Sequence, residues 1–234
     1  MDTIKIVKDY YDTDPALEWV RIDGRPEFIL TCRYLDRYIK PGDKVLDIGG
    51  GPGRYSLYLA QKGCQVTLLD LSQANVDFAA AKAREKGLSL NPVCGEADAC
   101  VSGLFDHVLL MGPLYHLLEE GDRVRAVDAA LRLLRPGGVF FATFINLFAG
   151  MIFAMKEVPE AILDKKEDPF FSSVLANESF AGLGFTQAFM IQQDDVLPFM
   201  ARFPLEKLHL FGQEGLTSPC EHNIMSQSPE VVAA

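Results

Sequence analysis

Residues 45–53 read Val45-Leu46-Asp47-Ile48-Gly49-Gly50-Gly51-Pro52-Gly53, and further on the chain reads Leu68-Leu69-Asp70-Leu71-Ser72. The short apolar run from Lys44 to Ile48 predicts a buried strand, Arg54 to Gly63 a helix, and Cys64 to Leu69 a second strand. Strand, glycine turn, helix and strand make a βαβ unit, which demands a parallel pair of strands. Glycine lets the backbone turn tightly and approach a ligand closely, and the following helix presents its positive end there. Asp70 closes the second strand about twenty residues after the loop, where a carboxylate can accept from both hydroxyls of a ribose.

Working outward, the alternation continues. Ser72 caps an Ala-rich helix that closes near Gly87, Ser89 to Cys94 supplies a third strand, and Phe105 to Met111 a fourth. Val124, Val127, Leu131 and Leu134 give a helical stripe stopped by Arg135-Pro136-Gly137-Gly138, and Val139 to Ile145 is a fifth strand. Upstream, Pro26 opens a helix with Phe28, Cys32, Leu35 and Ile39 on one face, ended by Lys40-Pro41-Gly42. The expected fold is therefore α/β: a Rossmann-like, doubly wound, mostly parallel sheet whose ligand crevice lies beyond the carboxyl ends of the strands.

From Asn146 to Met200 the rhythm fails, and Phe148, Met151, Phe153, Met155, Phe170, Phe171, Phe180, Phe189 and Met190 crowd the segment. It reads as a helical lid inserted after the fifth strand, with a helical pair packed on the sheet edge as the plainer alternative. Leu205 to Gln213 is a candidate sixth strand. The expected organisation is a single domain over 1–234: a helical cap at 1–42, a binding core at 43–145, the lid at 146–200, and a strand and tail at 201–234. Ser228-Pro229-Glu230 reads as a helix start with four residues after it, which predicts a chain cut short.

Composition limits the function. A net charge of −10 argues against nucleic acid, whose affinity for proteins comes largely from Lys and Arg. No apolar run reaches the length of a bilayer span and MDTIKIVKDYYD lacks a secretory pattern, so a cytoplasmic protein without a membrane is expected. Cys32, Cys64, Cys94, Cys100 and Cys220 are scattered without a CxxC pair, which predicts buried free thiols and no metal site.

A glycine loop alone fits several nucleotide ligands. In the dinucleotide fingerprint GxGxxG, the sixth position wants Gly or Ala; counted from Gly49 it is Arg54, which weakens a nicotinamide reading. The runs at 45–53 and 68–72, with Gly95-Glu96-Ala97-Asp98, Phe105-Asp106-His107-Val108-Leu109-Leu110 and Leu133-Leu134-Arg135-Pro136-Gly137-Gly138, resemble in order the motifs of class I S-adenosylmethionine (SAM)-dependent methyltransferases. The resemblance spans roughly residues 40 to 145. It implies that the loop at Gly49, Gly50 and Gly51 lies against the methionine part of SAM and that Asp47 helps hold the amino group. It further implies that Asp70 holds the ribose, Leu71 packs on the adenine, Asp98 accepts from the adenine amino group with Ala99 beside it, and Leu110 and Met111 contribute backbone contacts.

Met111-Gly112-Pro113-Leu114-Tyr115-His116-Leu117 resembles the GPLYH segment of a subset of these enzymes, which makes Tyr115 and His116 the candidate acceptor-side residues. An unperturbed histidine titrates close to physiological pH, so His116 could serve as a base, or it could bond a neighbouring loop structurally. His107, inside the fourth strand, reads as structural. The fourth motif lacks the Asn/Asp-Pro-Pro-Tyr/Phe run associated with nucleobase methylation. The resemblance thus implies methyl transfer from SAM to a small acceptor of apolar or aromatic character, with S-adenosylhomocysteine (SAH) as product. A SAM-binding sensor or partner subunit that transfers no methyl would carry the same motifs, and the sequence names neither the acceptor atom nor the oligomeric state.

Overall fold

The computed structural model describes residues 3–21, 24–96 and 101–228. Helices α1 (Thr3–Thr13), α2 (Pro15–Arg21) and α3 (Pro26–Tyr38) precede β1 (Lys44–Ile48), α4 (Arg54–Gln61), β2 (Gln65–Asp70), α5 (Gln73–Glu85), β3 (Asn91–Cys94) and β4 (Phe105–Leu110). A 3-10 turn (Pro113–Tyr115), α6 (Glu120–Arg132) and β5 (Leu134–Ala142) complete a sheet ordered β3-β2-β1-β4-β5 with every pair parallel. The expected doubly wound fold is the one observed.

Strand periodicity sorts the core into two layers. On β1, Val45 points to the face where Leu35 of α3, Ile39 just beyond that helix and Leu59 of α4 pack, while Leu46 and Ile48 point to the face of Val127 and Ala130 of α6. Asp47 shares the face of Val45, so its carboxylate is buried under α4. Because β1 lies between β2 and β4, the chain leaves the two strand ends in opposite directions. A crevice opens between the loops that follow β1 and β4.

Four expectations are corrected. The fifth strand begins at Leu134, because Arg135-Pro136-Gly137-Gly138 forms an irregularity within β5 rather than a helix stop: the register shifts between the Phe105↔Leu134 and His107↔Val139 pairs. A Cβ on Gly138 would stand 2.5 Å from the Asp106 carbonyl oxygen, so the bulge needs glycine there. Residues 205–213 form no strand. Their alternation is real, but His209 and Phe211 lie over α3: Phe211 stacks on Tyr34 at 3.6 Å between ring centroids, and His209 Nε2 is 2.6 Å from the Tyr38 hydroxyl.

The third correction concerns 146–200, which is not wholly helical. β6 (Ile145–Asn146), α7 (Leu147–Glu157), a 3-10 turn (Pro159–Leu163), α8 (Asp168–Ala176), β7 (Phe180–Leu183), β8 (Gln187–Ile191) and α9 (Val196–Met200) enclose a second sheet ordered β6-β8-β7. Its own core joins Leu147, Phe170, Phe180, Ala188 and Met190, which accounts for much of the Phe and Met content. A last short helix, α10 (Glu221–Met225), follows. Cys32 and Cys64 are buried, Cys94 half-buried and, against expectation, Cys220 exposed; all four are free thiols. Among the described residues no helix is long and apolar enough to cross a membrane.

Candidate functional site

The glycine loop is held by its own amides. Gly49 and Gly50 donate to the Leu69 carbonyl at 2.7 and 3.2 Å, and Gly53 donates to Gly50 O at 3.0 Å. Gly51 donates to Asp70 Oδ2 at 2.8 Å, so these amides turn toward β2 and what the loop offers a ligand is a surface without side chains. Gly49 (φ +70°) allows close contact with the β4 loop, since a Cβ there would stand 2.6 Å from Pro113 Cδ. At Gly51 (φ +55°) a Cβ would meet nothing within 4 Å: the crevice is open above it.

Asp70 ends β2 beneath this opening. Besides the Gly51 amide it accepts at Oδ1 from Ser72 N at 2.8 Å and from Asn75 Nδ2 at 3.4 Å. Burial pushes its carboxyl up, against those bonds, which favour the charged form. Asp47 stands lower, 2% exposed, with Oδ2 accepting from Ser56 Oγ at 2.7 Å; burial raises its pKa to about 6. It supports the loop from underneath, where Gly50 leaves no room for a Cβ against the carboxylate.

Leu71 is half-buried beside Asp70. The Leu110 carbonyl accepts from Thr143 N at 3.3 Å and the Met111 carbonyl from the Tyr115 hydroxyl at 3.4 Å, so both strand-end carbonyls have internal partners. Asp98 and Ala99 lie outside the described residues. His107 is buried and bonds Asp43 Oδ2 at 3.0 Å, a structural pairing at the amino end of β4, away from the crevice.

Tyr115 and His116 come together on the β4 loop, their ring centroids 4.7 Å apart. Burial pushes the Tyr115 phenol well up, and Glu27, Arg21, Glu18 and Asp70 are the charges that act on it. His116 is 8% exposed and uses both ring nitrogens: Nδ1 is 3.0 Å from the Gln187 carbonyl of β8, and Nε2 is 2.9 Å from the Tyr11 hydroxyl of α1. A carbonyl can only accept, so Nδ1 carries the proton and Nε2 accepts from Tyr11. Burial lowers the His116 pKa to about 4, so the ring is neutral at physiological pH.

Sequence reasoning missed the part of the site built from the first helices. Tyr11 and its neighbour Asp12 span the crevice. Asp12 Oδ1 accepts from Ser72 Oγ at 2.5 Å and from Ala74 N at 3.4 Å, at the start of α5. Arg21 is held by Glu18 (2.9 and 3.0 Å) and Glu27 (3.3 Å). Rings of Tyr10, Tyr11, Tyr115, His116 and Phe185 form one cluster with centroids 4.7–6.0 Å apart, drawn from α1, the β4 loop and the β7–β8 turn. The adjacent pair Tyr10-Tyr11 at the head of the chain was the available signal.

Residues 45–138 match a family model described as a methyltransferase domain. A ubiquinone biosynthesis O-methyltransferase of Methylocella silvestris is 35% identical over 142 residues, 60% of this chain and 52% of that protein. The protein of the same name from Cronobacter sakazakii is 29% identical over 73% of this chain and 65% of its own length. The chain thus spans about half the length of the Methylocella relative. Among solved structures, magnesium protoporphyrin IX methyltransferase from Synechocystis with bound SAH superposes with a TM-score of 0.58 at 20% identity, covering 86% of this chain and 88% of that one. A methyltransferase from Methanosarcina mazei gives 0.53 at 21% identity, covering 72% and 82%. These two likenesses establish the fold.

Proposed function

We propose that this chain is a class I SAM-dependent methyltransferase that methylates a hydroxyl oxygen of a small aromatic acceptor. The observation that carries the reading is the crevice beside Asp70: a carboxylate fixed at the end of β2, a glycine loop with open space above Gly51, and acids on several sides. Asp12, Glu18, Glu27, Asp47 and Asp70 gather around it, and Arg21 is neutralised by two of them. Such a site suits a cationic ligand and repels the pyrophosphate of a dinucleotide. Arg54, at the fingerprint's sixth position, lies over the Trp19 ring at 4.1 Å, filling space that a dinucleotide loop keeps small.

The residues fit the cofactor. Asp70 accepts from the ribose hydroxyls, Leu71 packs on the adenine, the bare surface at Gly49, Gly50 and Gly51 admits the methionine part, and Asp47 holds the loop that shapes this surface. Leu110 and Met111 close the end of the pocket, and Asp98 with Ala99 is assigned to the adenine. When bound, SAM supplies an activated methyl group on a sulfonium sulfur. The chain's own work is alignment, exclusion of water and handling of the acceptor's proton.

Tyr115 and His116 are assigned to the acceptor side of the site, with Tyr11 standing between His116 Nε2 and the crevice. The half-exposed rings of Tyr10 and Phe185, stacked edge-on against Tyr11 and His116, form a wall for a planar apolar molecule, and the segment 146–200 brings Phe185 and Gln187 to the carboxyl end of β4. That placement supports reading the segment as a cap on the acceptor side, and the name the relatives carry, ubiquinone biosynthesis O-methyltransferase, supports oxygen as the acceptor atom. Calorimetry with SAM and SAH, followed by turnover against phenolic acceptors, tests the reading. Binding of both with formation of SAH is expected. Absence of binding would overturn it, and binding without turnover would assign the chain to SAM sensing.

A further inference from the structure

The Tyr11 hydroxyl belongs to the ring cluster of Tyr10, Tyr115, His116 and Phe185 and is the group bonded to His116 on its Nε2 side. His116 lies behind it, 8% exposed, with Nδ1–H spent on the Gln187 carbonyl and Nε2 occupied by the Tyr11 O–H at 2.9 Å. The Tyr11 oxygen donates its one hydrogen inward, and among the described residues no donor occupies its lone pairs. An acceptor hydroxyl entering along Tyr10 and Phe185 can therefore donate to Tyr11 without displacing a hydrogen-bond donor, whereas bonding His116 Nε2 directly requires breaking the Tyr11 bond. Tyr11 also sits where the first helix is pinned across the crevice by Asp12 on Ser72, so its position is fixed from two sides.

We propose that Tyr11 is a catalytic residue that relays the acceptor's proton to His116. This rests on the methyltransferase reading above. As the acceptor oxygen bonds the methyl carbon, its O–H breaks, and the proton passes to Tyr11 Oη while Tyr11's own proton passes to His116 Nε2. The electron pair of the broken C–S bond stays on sulfur. One positive charge leaves the sulfur and one arrives on the imidazole, so the net charge of the buried site is unchanged by the transfer. Gln187 stabilises the product imidazolium through Nδ1–H, and its fixed carbonyl selects the starting tautomer, making it a positioning group for His116.

The test compares wild type with Tyr11→Phe, which keeps the ring and removes the relaying oxygen. Two acceptors serve as probes at about pH 8.5: 4-methylphenol, which like the tyrosine side chain is still un-ionised there, and 4-nitrophenol, which is almost wholly ionised there. With 4-methylphenol, kcat should fall on the order of 10²-fold, the scale of a positioned proton transfer. With 4-nitrophenol, which has no proton to give, kcat should stay within about threefold of wild type. SAH affinity by calorimetry should also be unchanged within about threefold, and imidazole ¹⁵N shifts should report the Nδ1-protonated tautomer in wild type. Equal losses with both phenols, or an Nε2-protonated His116, overturn the relay. Wild type that binds SAH and methylates neither phenol also overturns it while leaving SAM binding intact, whereas loss of SAH binding by wild type would strike the functional reading itself. His116→Gln, tested beside it, should reproduce the selective loss with 4-methylphenol; equal losses with both phenols would count against the relay.

Discussion

Asp12 in the first helix and Ser72 at the start of the helix after β2 are joined by a 2.5 Å hydrogen bond, which ties the chain's opening segment across the mouth of the crevice. Ser72 accepts in turn from Asn75 N at 3.1 Å, so a single carboxylate closes the capping arrangement of α5. Burial raises the Asp12 carboxyl, but Lys8, Ser72 and the Ala74 amide together hold it below its ordinary value. Asp12→Ala should release α1: amide exchange over 3–13 should quicken more than over the core strands, at a stability cost of about 1 kcal/mol. Exchange in α1 equal to that of wild type would show that the tether contributes nothing.

Asp70 both closes the glycine loop and faces the open crevice. Asp70→Ala removes the acceptor for Gly51 and for a bound ribose, and SAH affinity should fall by roughly 10- to 150-fold, matching about 1.5–3 kcal/mol for hydrogen bonds to a charged group. Calorimetry checks it. An unchanged dissociation constant would remove Asp70 from the site.

Gly49 and Gly51 both have positive φ but should respond differently to alanine. At Gly49 the new methyl collides with Pro113, so Gly49→Ala should destabilise the fold by about 1–3 kcal/mol. At Gly51 the methyl enters open crevice, so Gly51→Ala should cost roughly 1–2 kcal/mol of backbone strain and weaken SAH binding out of proportion to its stability loss. Paired denaturation and calorimetry separate the two effects; SAH affinity unchanged in Gly51→Ala would place the ligand elsewhere.

Asp47 has a folded-state pKa raised to about 6 from an ordinary 3.8. A raised acid favours the folded state when protonated, so its contribution is present below about pH 4 and is lost as pH rises through about 6. Asp47→Asn keeps an acceptor for Ser56 and cannot ionise. Unfolding free energy in the variant should exceed wild type by about 1–3 kcal/mol at about pH 8, with little difference at about pH 4. The same offset at both pH values would show that Asp47 does not titrate in this range.

The sequence by itself determined the sheet and its glycine loop. Hydrophobic periods, the strand-end acid Asp70 and turn residues are local signals, and the βαβ handedness rule converts them into a topology without knowledge of distant contacts. It located Tyr115 and His116 for the same reason: a loop that follows β4 lands beside the loop that follows β1. It misjudged 205–213 because alternation reports a segment with two faces, and a helix such as α3 can receive one face as well as a neighbouring strand can. It missed the small sheet of 145–191 because two- to five-residue strands carry too little pattern to distinguish from helix.

Tertiary structure alone decided what His116 is bonded to. Tyr11 is 105 residues away along the chain and Gln187 is 71, and in α1 Tyr11 occupies an ordinary half-buried helical position. No local propensity encodes such a contact. Its geometry arises from packing α1 and β8 against the same loop, and so does the tautomer of His116, because only the fold brings a carbonyl to one ring nitrogen and a hydroxyl to the other.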